Sequence, residues 1–173
     1  MSIEIVDNFL KKDDFQEIKN SLESKDIPWF FNRVISRDSD SKEENKELAE
    51  IYNYQFTHIF YNNFCPNSQY FSLMVPLIKK LNPKALVKIK ANLQPRTHTI
   101  IENGFHFDYE GMKTCVFYIN TNNGYTKFKS GEIVKSQENT AVIFNSDTLH
   151  TGSTCTDEKA RLVININYVG FDQ

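Results

Sequence analysis

Two periodicities divide the chain. Up to about residue 83 the apolar positions fall mainly at helical spacing, and beyond it they alternate in the two-residue rhythm of strands. Ile3 to Val6 reads as a short strand. Phe15, Ile18 and Leu22 then mark one face of a helix that Asp13 or Asp14 can cap, and that face predicts a helix lying on the outside of a sheet. Ser36 to Glu50 is polar and charged, which predicts a mobile loop or a solvated helix, disordered in part without ligand. Tyr52, Tyr54, Phe56, His58 and Phe60 alternate and would put five rings on one face of a strand, an aromatic core layer rather than a base-stacking platform. Tyr70, Met74, Leu77 and Leu81, flanked by Phe71 and Ile78, form a second helical stripe over the same sheet, kinked or broken at Pro76.

From Ala85 onward the expected elements are short strands separated by turns. Ala85, Val87, Ile89, Ala91 and Leu93 face one way, and Lys88, Lys90 and Asn92 the other. Met112 to Asn120 and Thr140 to Phe144 read as further strands, with Asn123-Gly124 and Ser130-Gly131 as turns. In the last strand, Ala160 to Val169, Leu162, Ile164, Ile166 and Tyr168 oppose Arg161, Val163, Asn165 and Asn167. Helices first and strands in series predict a mainly β fold with flanking helices. The architecture expected is a double-stranded β-helix, or jelly roll, with the N-terminal helices packed on one sheet. We expect one domain over residues 1–173, with helical support over about 1–83 and the jelly-roll core over about 84–171.

Composition narrows the function classes. Twenty Lys plus Arg against 22 Asp plus Glu give a net charge of −2, with no general attraction to a polyanion, so nucleic acid is not the expected partner. The three cysteines, Cys65, Cys115 and Cys155, are odd in number and widely spaced, which suits reduced thiols in a cytoplasmic protein. No apolar run approaches membrane-spanning length, so no membrane association is expected.

The candidate chemistry lies in the strand-rich half. His106 and Asp108, two residues apart on an extended segment, project to the same side, and His150 follows on a later strand. Two imidazoles and one carboxylate can occupy one face of an iron(II) ion and leave positions open for oxygenase chemistry. Arg161, beyond the second histidine, offers a planar fork that binds a carboxylate through two parallel hydrogen bonds. Its row holds two asparagines instead of Lys or Glu, which favours an inward polar cavity over a solvated edge. His58, in the aromatic strand, is expected in the core, and His98 in an exposed loop.

Gly104-Phe105-His106-Phe107-Asp108, Thr114 to Asn120, Leu149-His150-Thr151-Gly152 and Arg161 to Asn165 together resemble the prolyl 4-hydroxylase-like branch of the 2-oxoglutarate/iron(II) oxygenases. The compact chain is especially similar to members from bacteriophages and marine bacteria. The resemblance extends from about Ala85 to Phe171 and more faintly into the N-terminal helices. It implies iron(II) on His106, Asp108 and His150, which are then both metal ligands and catalytic residues. It implies 2-oxoglutarate as cosubstrate with its distal carboxylate on Arg161, a hydroxyl from Tyr118 donated to that carboxylate, and Asn165 and Asn167 lining the cavity. Asn92 lies on a strand that contributes to such pockets. Dioxygen is the second cosubstrate, and ascorbate would serve as accessory reductant. Arg161 in place of Lys is nearer the oxygen-sensing and bacterial prolyl hydroxylases than the collagen type. Asn167 stands near where dealkylating relatives carry a further Arg, and the presence of Asp108 favours hydroxylation over halogenation.

The implied reaction hydroxylates a C–H bond, first a prolyl residue of a protein or peptide, with 2-oxoglutarate converted to succinate. A small metabolite or nucleotide is the alternative substrate. The contrasting classes are a jelly-roll binding module without turnover and a zinc hydrolase on the same three ligands, in which Arg161 has no clear part. The loops expected around the substrate mouth are 33–46, 95–104, 109–113 and 120–136.

Overall fold

A computed structural model describes residues 3–35 and 46–171. The chain runs β1 (Glu4–Val6), α1 (Lys12–Glu23), β2 (Phe30–Asn32), α2 (Lys46–Ile51), β3 (Gln55–Asn62), β4 (Cys65–Pro66), α3 (Val75–Leu81) and β5 (Ala85–Pro95). It continues with β6 (Lys113–Tyr118), β7 (Tyr125–Phe128), β8 (Ile133–Lys135), β9 (Thr140–Asn145), β10 (His150–Gly152) and β11 (Ala160–Val169). The expected disorder beyond Ser36 falls on residues 36–45, outside those described, and the rest of that stretch includes helix α2.

The strands form two antiparallel sheets. The larger has the order β1-β9-β6-β11-β5-β3-β2, with β4 pairing β3, and the smaller has the order β10-β7-β8. Isolated bridges Glu102↔Ser153 and His106↔His150 lay the segment before Asp108 along the outer side of β10. This is the double-stranded β-helix with its helices on one sheet.

Strand β11 lies between β5 and β6, and its alternation separates core from cavity. Leu162, Ile164, Ile166 and Tyr168 join Ile89, Ala91, Cys115 and Phe117 on the outer face of the large sheet. Phe15, Ile18 and Leu22 of α1 and Met74 and Leu77 around the start of α3 cover that face. The Phe15 ring meets Phe117 edge-on at 6.0 Å. Each large apolar side chain removed from water here contributes about 1.5–3 kcal/mol, so the helices hold the sheet that positions the cavity. Between the sheets a smaller cluster of Val116, Tyr118, Phe128, Val134, Val142, Phe144 and Val163 closes one end.

Local geometry corrects several expectations. Lys11, not Asp13 or Asp14, occupies the N-cap of α1, with no side-chain cap; the two aspartates sit in the first turn, where their charge favours the helix dipole. The expected break near Pro76 is present: the stripe from Tyr70 to Leu81 divides into a 3-10 turn over Phe71–Met74 and helix α3, and Pro76 stands in the first turn of α3, where its missing N–H costs nothing. Strand β3 begins at Gln55, so Tyr52 and Tyr54 precede it, and its register against β5 slips between Ile59 and Tyr61. The aromatic layer is completed from outside the strand by Phe31, whose ring lies 5.6 Å from both Tyr54 and Phe56. A slip opposite Asn167/Tyr168 pairs Tyr168 with Leu86; Leu86 then packs on the core and Ala85 is exposed, reversing the expected face at that end of β5. Strand β6 ends at Tyr118, two residues early, because the Asn120 side chain replaces the ladder: it donates to Ala160 O at 2.8 Å and accepts from Leu162 N at 2.9 Å.

Candidate active site

The bridge between His106 and His150 exchanges two backbone hydrogen bonds, of 3.0 and 2.9 Å, and Asp108 N donates to Ser146 O at 2.9 Å. These main-chain contacts bring three side chains from two separate segments together, the stretch up to Asp108 and strand β10. One ligand atom from each of His106, Asp108 and His150 lies within 4.8 Å of the others.

The surrounding hydrogen bonds select which atoms face inward. His106 Nδ1 meets Gly104 O at 3.2 Å and His150 Nδ1 meets Thr148 O at 2.9 Å. Each ring donates its Nδ1 proton to a carbonyl and keeps an Nε2 lone pair free. Asp108 Oδ2 accepts from Thr114 Oγ1 at 2.8 Å and from Asn167 Nδ2 at 2.9 Å, leaving Oδ1 3.9 Å from His106 Nε2. With the Thr114 proton committed to Asp108, Ser146 donates in its contact with Thr114. The rings of Phe128 and Phe144 pack around His150. Burial foremost, then the neighbouring His106, lowers the His150 pKa and favours the neutral imidazole a metal requires.

Arg161 shares a cavity of about 90 Å³ with those three residues. It is only 5% exposed, and among the described residues no carboxylate pairs with it. Its Nε donates to Ser136 Oγ at 2.7 Å and Nη2 to Thr126 Oγ1 at 3.2 Å. Burial shifts its pKa down from the ordinary guanidinium value, but that value is so high that the group remains a cation. A buried cation without an acid partner is costly unless an anion completes it. Two glycines make room for it. A Cβ on Gly124 would stand 2.7 Å from Arg161 Cδ and 2.8 Å from Thr154 O, and one on Gly152 would stand 3.3 Å from Arg161 Nη1.

The other expected site residues divide by location. Asn165 lines the cavity beside Lys90 and Asn92, and both Asn92 Oδ1 and Asn165 Oδ1 are buried without a hydrogen-bond partner. Tyr118 is fully buried and does not line the cavity. Its hydroxyl is 2.9 Å from Thr126 Oγ1 and 3.2 Å from Val134 O, and Arg161 lies over its ring at 5.5 Å. Tyr118 therefore supports Arg161 from behind. Asn167 holds the Asp108 carboxylate and lines the recess that adjoins this cavity. Of the mouth loops, Ile35, Asn103 and Thr126 reach the cavity, and Tyr109 lines an adjoining recess.

His58 is buried between Pro28 O at 2.8 Å and Ser68 Oγ at 2.7 Å, and His98 is exposed. All three cysteines are free thiols. No described helix is long and apolar enough to cross a membrane.

Sequence reading missed the hydroxyls that position the larger groups: Thr114 and Ser146 at Asp108, Thr126 and Ser136 at Arg161. Their one signal is strand phase, since Thr114 pairs with Asn167. It also left Lys90 unassigned. That side chain lines the cavity, and burial, with Lys88 adding repulsion, pushes its pKa down to about 8. A larger recess, about 860 Å³, opens elsewhere around Phe9, Lys80, Lys113 and Phe171, and contains none of the converging ligand atoms.

Neither the family models nor the curated proteins compared with the chain give a match. Solved structures do. A 2OG-Fe(II) oxygenase family oxidoreductase from Burkholderia pseudomallei superposes with a TM-score of 0.67 at 8% identity, over 96% of this chain and 84% of its own. A prolyl-4-hydroxylase from Pseudomonas putida gives a TM-score of 0.57 at 12% identity, over 98% and 92%. HygX from Streptomyces hygroscopicus, with nickel, 2-oxoglutarate and hygromycin B bound, gives 0.58 at 8% identity, over 97% and 82%. At such low identity the likeness establishes the fold: this chain has the double-stranded β-helix of the 2-oxoglutarate oxygenase structures.

Proposed function

We propose that the protein is an iron(II)- and 2-oxoglutarate-dependent dioxygenase that hydroxylates a C–H bond. The observation that carries this reading is one cavity holding both a His-Asp-His ligand set and a buried arginine with no acid partner. The donor set fits a divalent metal: two imidazoles present Nε2, and one carboxylate oxygen remains unengaged by neighbours. His106, Asp108 and His150 would hold the iron, and Arg161 the distal carboxylate of 2-oxoglutarate. When bound, the iron and cosubstrate supply dioxygen activation coupled to decarboxylation to succinate and carbon dioxide, with ascorbate as accessory reductant.

The protein's own contribution is placement and charge. Thr114 and Asn167 fix the Asp108 carboxylate, and the carbonyls of Gly104 and Thr148 fix the ring orientations. Ser136 and Thr126 aim the guanidinium, while Tyr118, Phe128 and Phe144 exclude water behind it and behind His150. A zinc hydrolase would use the same three ligands but gives Arg161 no anion to bind.

A prolyl residue in a protein or peptide is the substrate proposed first, supported by the sequence resemblance and by the prolyl-hydroxylase neighbour. A small metabolite is the second reading, favoured by the likeness to HygX. Conversion of 2-oxoglutarate to succinate by iron-loaded protein tests the reaction class. Asp108→Ala is expected to abolish it with the circular dichroism spectrum preserved, and undiminished succinate formation would reject the ligand assignment.

A further inference from the structure

Beside Asp108, on the side away from Arg161, the cavity continues into a recess of about 230 Å³. Lys88 and Lys90 of β5 supply its cationic wall, Asn165 and Asn167 of β11 stand beside them, and Phe107 and Tyr109 form the outer rim. Cross-strand register makes the arrangement a consequence of the sequence: Asn165 pairs with Lys90 and Asn167 with Lys88, so all four side chains leave the same face of the large sheet.

Three observations give this recess a ligand preference. The two lysines are neighbours on one face, so each opposes the other's charge, and among the described residues neither makes an ion pair or hydrogen bond. The nearby acid, Asp108, makes no ion pair with either lysine: one oxygen is engaged by Thr114 and Asn167 and the other directed toward His106, and its attraction for Lys90 is outweighed by burial and by the repulsion from Lys88. Phe107 is 52% exposed at the rim, an apolar surface suited to the body of a ligand whose charged end lies deeper.

We propose that this recess is the substrate subsite and that it selects a substrate carrying an oxyanion, a carboxylate or a phosphate, bound by Lys90 with Lys88 beside it. The inference rests on the dioxygenase reading for what occupies the metal and Arg161, and it assigns the remaining cationic wall to the molecule being oxidised. A substrate held by its anionic end at Lys90 lies beside Asp108, with its carbon skeleton between the candidate metal position and the Phe107 rim. The protein thus has two anion sites on one sheet, Arg161 at one end of the β11 row and the lysine pair at the other.

The test uses full-length protein loaded with zinc in place of iron and saturated with 2-oxoglutarate, so that Arg161 is already filled. Inorganic phosphate and acetate are titrated separately while backbone amide resonances are followed by NMR. The expected result is saturable perturbation centred on residues 88–90 and 165–167 by at least one of the two anions. Its affinity should fall tenfold or more in Lys90→Gln and by a smaller factor in Lys88→Gln. The stronger of the two anions identifies the headgroup. Absence of saturation with both anions, or equal affinity in Lys90→Gln, would overturn the proposal. Loss of 2-oxoglutarate affinity in Lys90→Gln would also overturn it, by assigning the lysine to the cosubstrate. Failure of wild-type protein to bind 2-oxoglutarate would instead reject the dioxygenase reading. The anion titration repeated on the zinc protein alone then judges the recess separately.

Discussion

The two oxygens of Asp108 have different partners, and that asymmetry defines the candidate metal position. Oδ2 is held by Thr114 and Asn167, while Oδ1 stays on the side of the histidines. Such outer contacts fix ligand orientation, and their loss lowers metal affinity by roughly 10–100-fold. Asn167→Ala is accordingly expected to weaken iron(II) binding by about that factor while the fold persists, which competition with a chromophoric chelator would measure; unchanged affinity would contradict the positioning role. At the other end of the row, Gly124 is needed because Arg161 Cδ passes where a Cβ would stand. Gly124→Ala is expected to cost about 1–3 kcal/mol by overpacking. It should also weaken 2-oxoglutarate binding without touching the ligand, as urea denaturation and calorimetric titration would show. His106, Asp108, His150 and Arg161 were legible in the sequence because chemistry restricts their types. The threonines and serines that hold them were not, because one hydroxyl resembles any other until the register is known.

Elements place those side chains through backbone pairing. The alternation of β11 was readable because its two faces meet different environments, a packed core and a polar cavity. The register slips in β3 and β5 were not readable, since a one-residue bulge leaves composition unchanged and reverses the faces beyond it. Helix α1 was legible from its stripe, but its start was not, because Lys11 caps it without a side-chain bond. A further tie lies at Asn139, in the turn before β9. With φ at 57° it occupies the left-handed region, and its side chain exchanges hydrogen bonds of 2.9 and 3.0 Å with the backbone of Leu10. This fastens the segment leading into α1 to the sheet. Asn139→Ala loses both bonds and strains the backbone, an expected cost of about 2–4 kcal/mol. Asn139→Gly relieves the backbone component and should fall between Ala and wild type in urea midpoint; equal midpoints for all three proteins would contradict the account.

Across the whole molecule, the large sheet keeps two kinds of chemistry apart. Its outer face is closed by α1 and α3 over an apolar core, and its inner face carries a row of polar groups toward the smaller sheet. The fold class was legible because helices followed by many short strands admit few architectures. The substrate was not, because the mouth is formed by loops whose composition reports turns before it reports ligands. In the proposed reading one cavity binds iron(II) through His106, Asp108 and His150 and 2-oxoglutarate through Arg161. Anaerobic titration of the apo-protein with iron(II) and then 2-oxoglutarate, followed by visible absorption with Arg161→Ala alongside, tests it most directly. The account predicts a metal-to-ligand charge-transfer band in the wild type and a loss of cosubstrate affinity of at least tenfold in the variant, as expected for removing a charge-assisted pair of about 1.5–3 kcal/mol. Well-folded, iron-loaded wild-type protein that develops no band at saturating 2-oxoglutarate would contradict it.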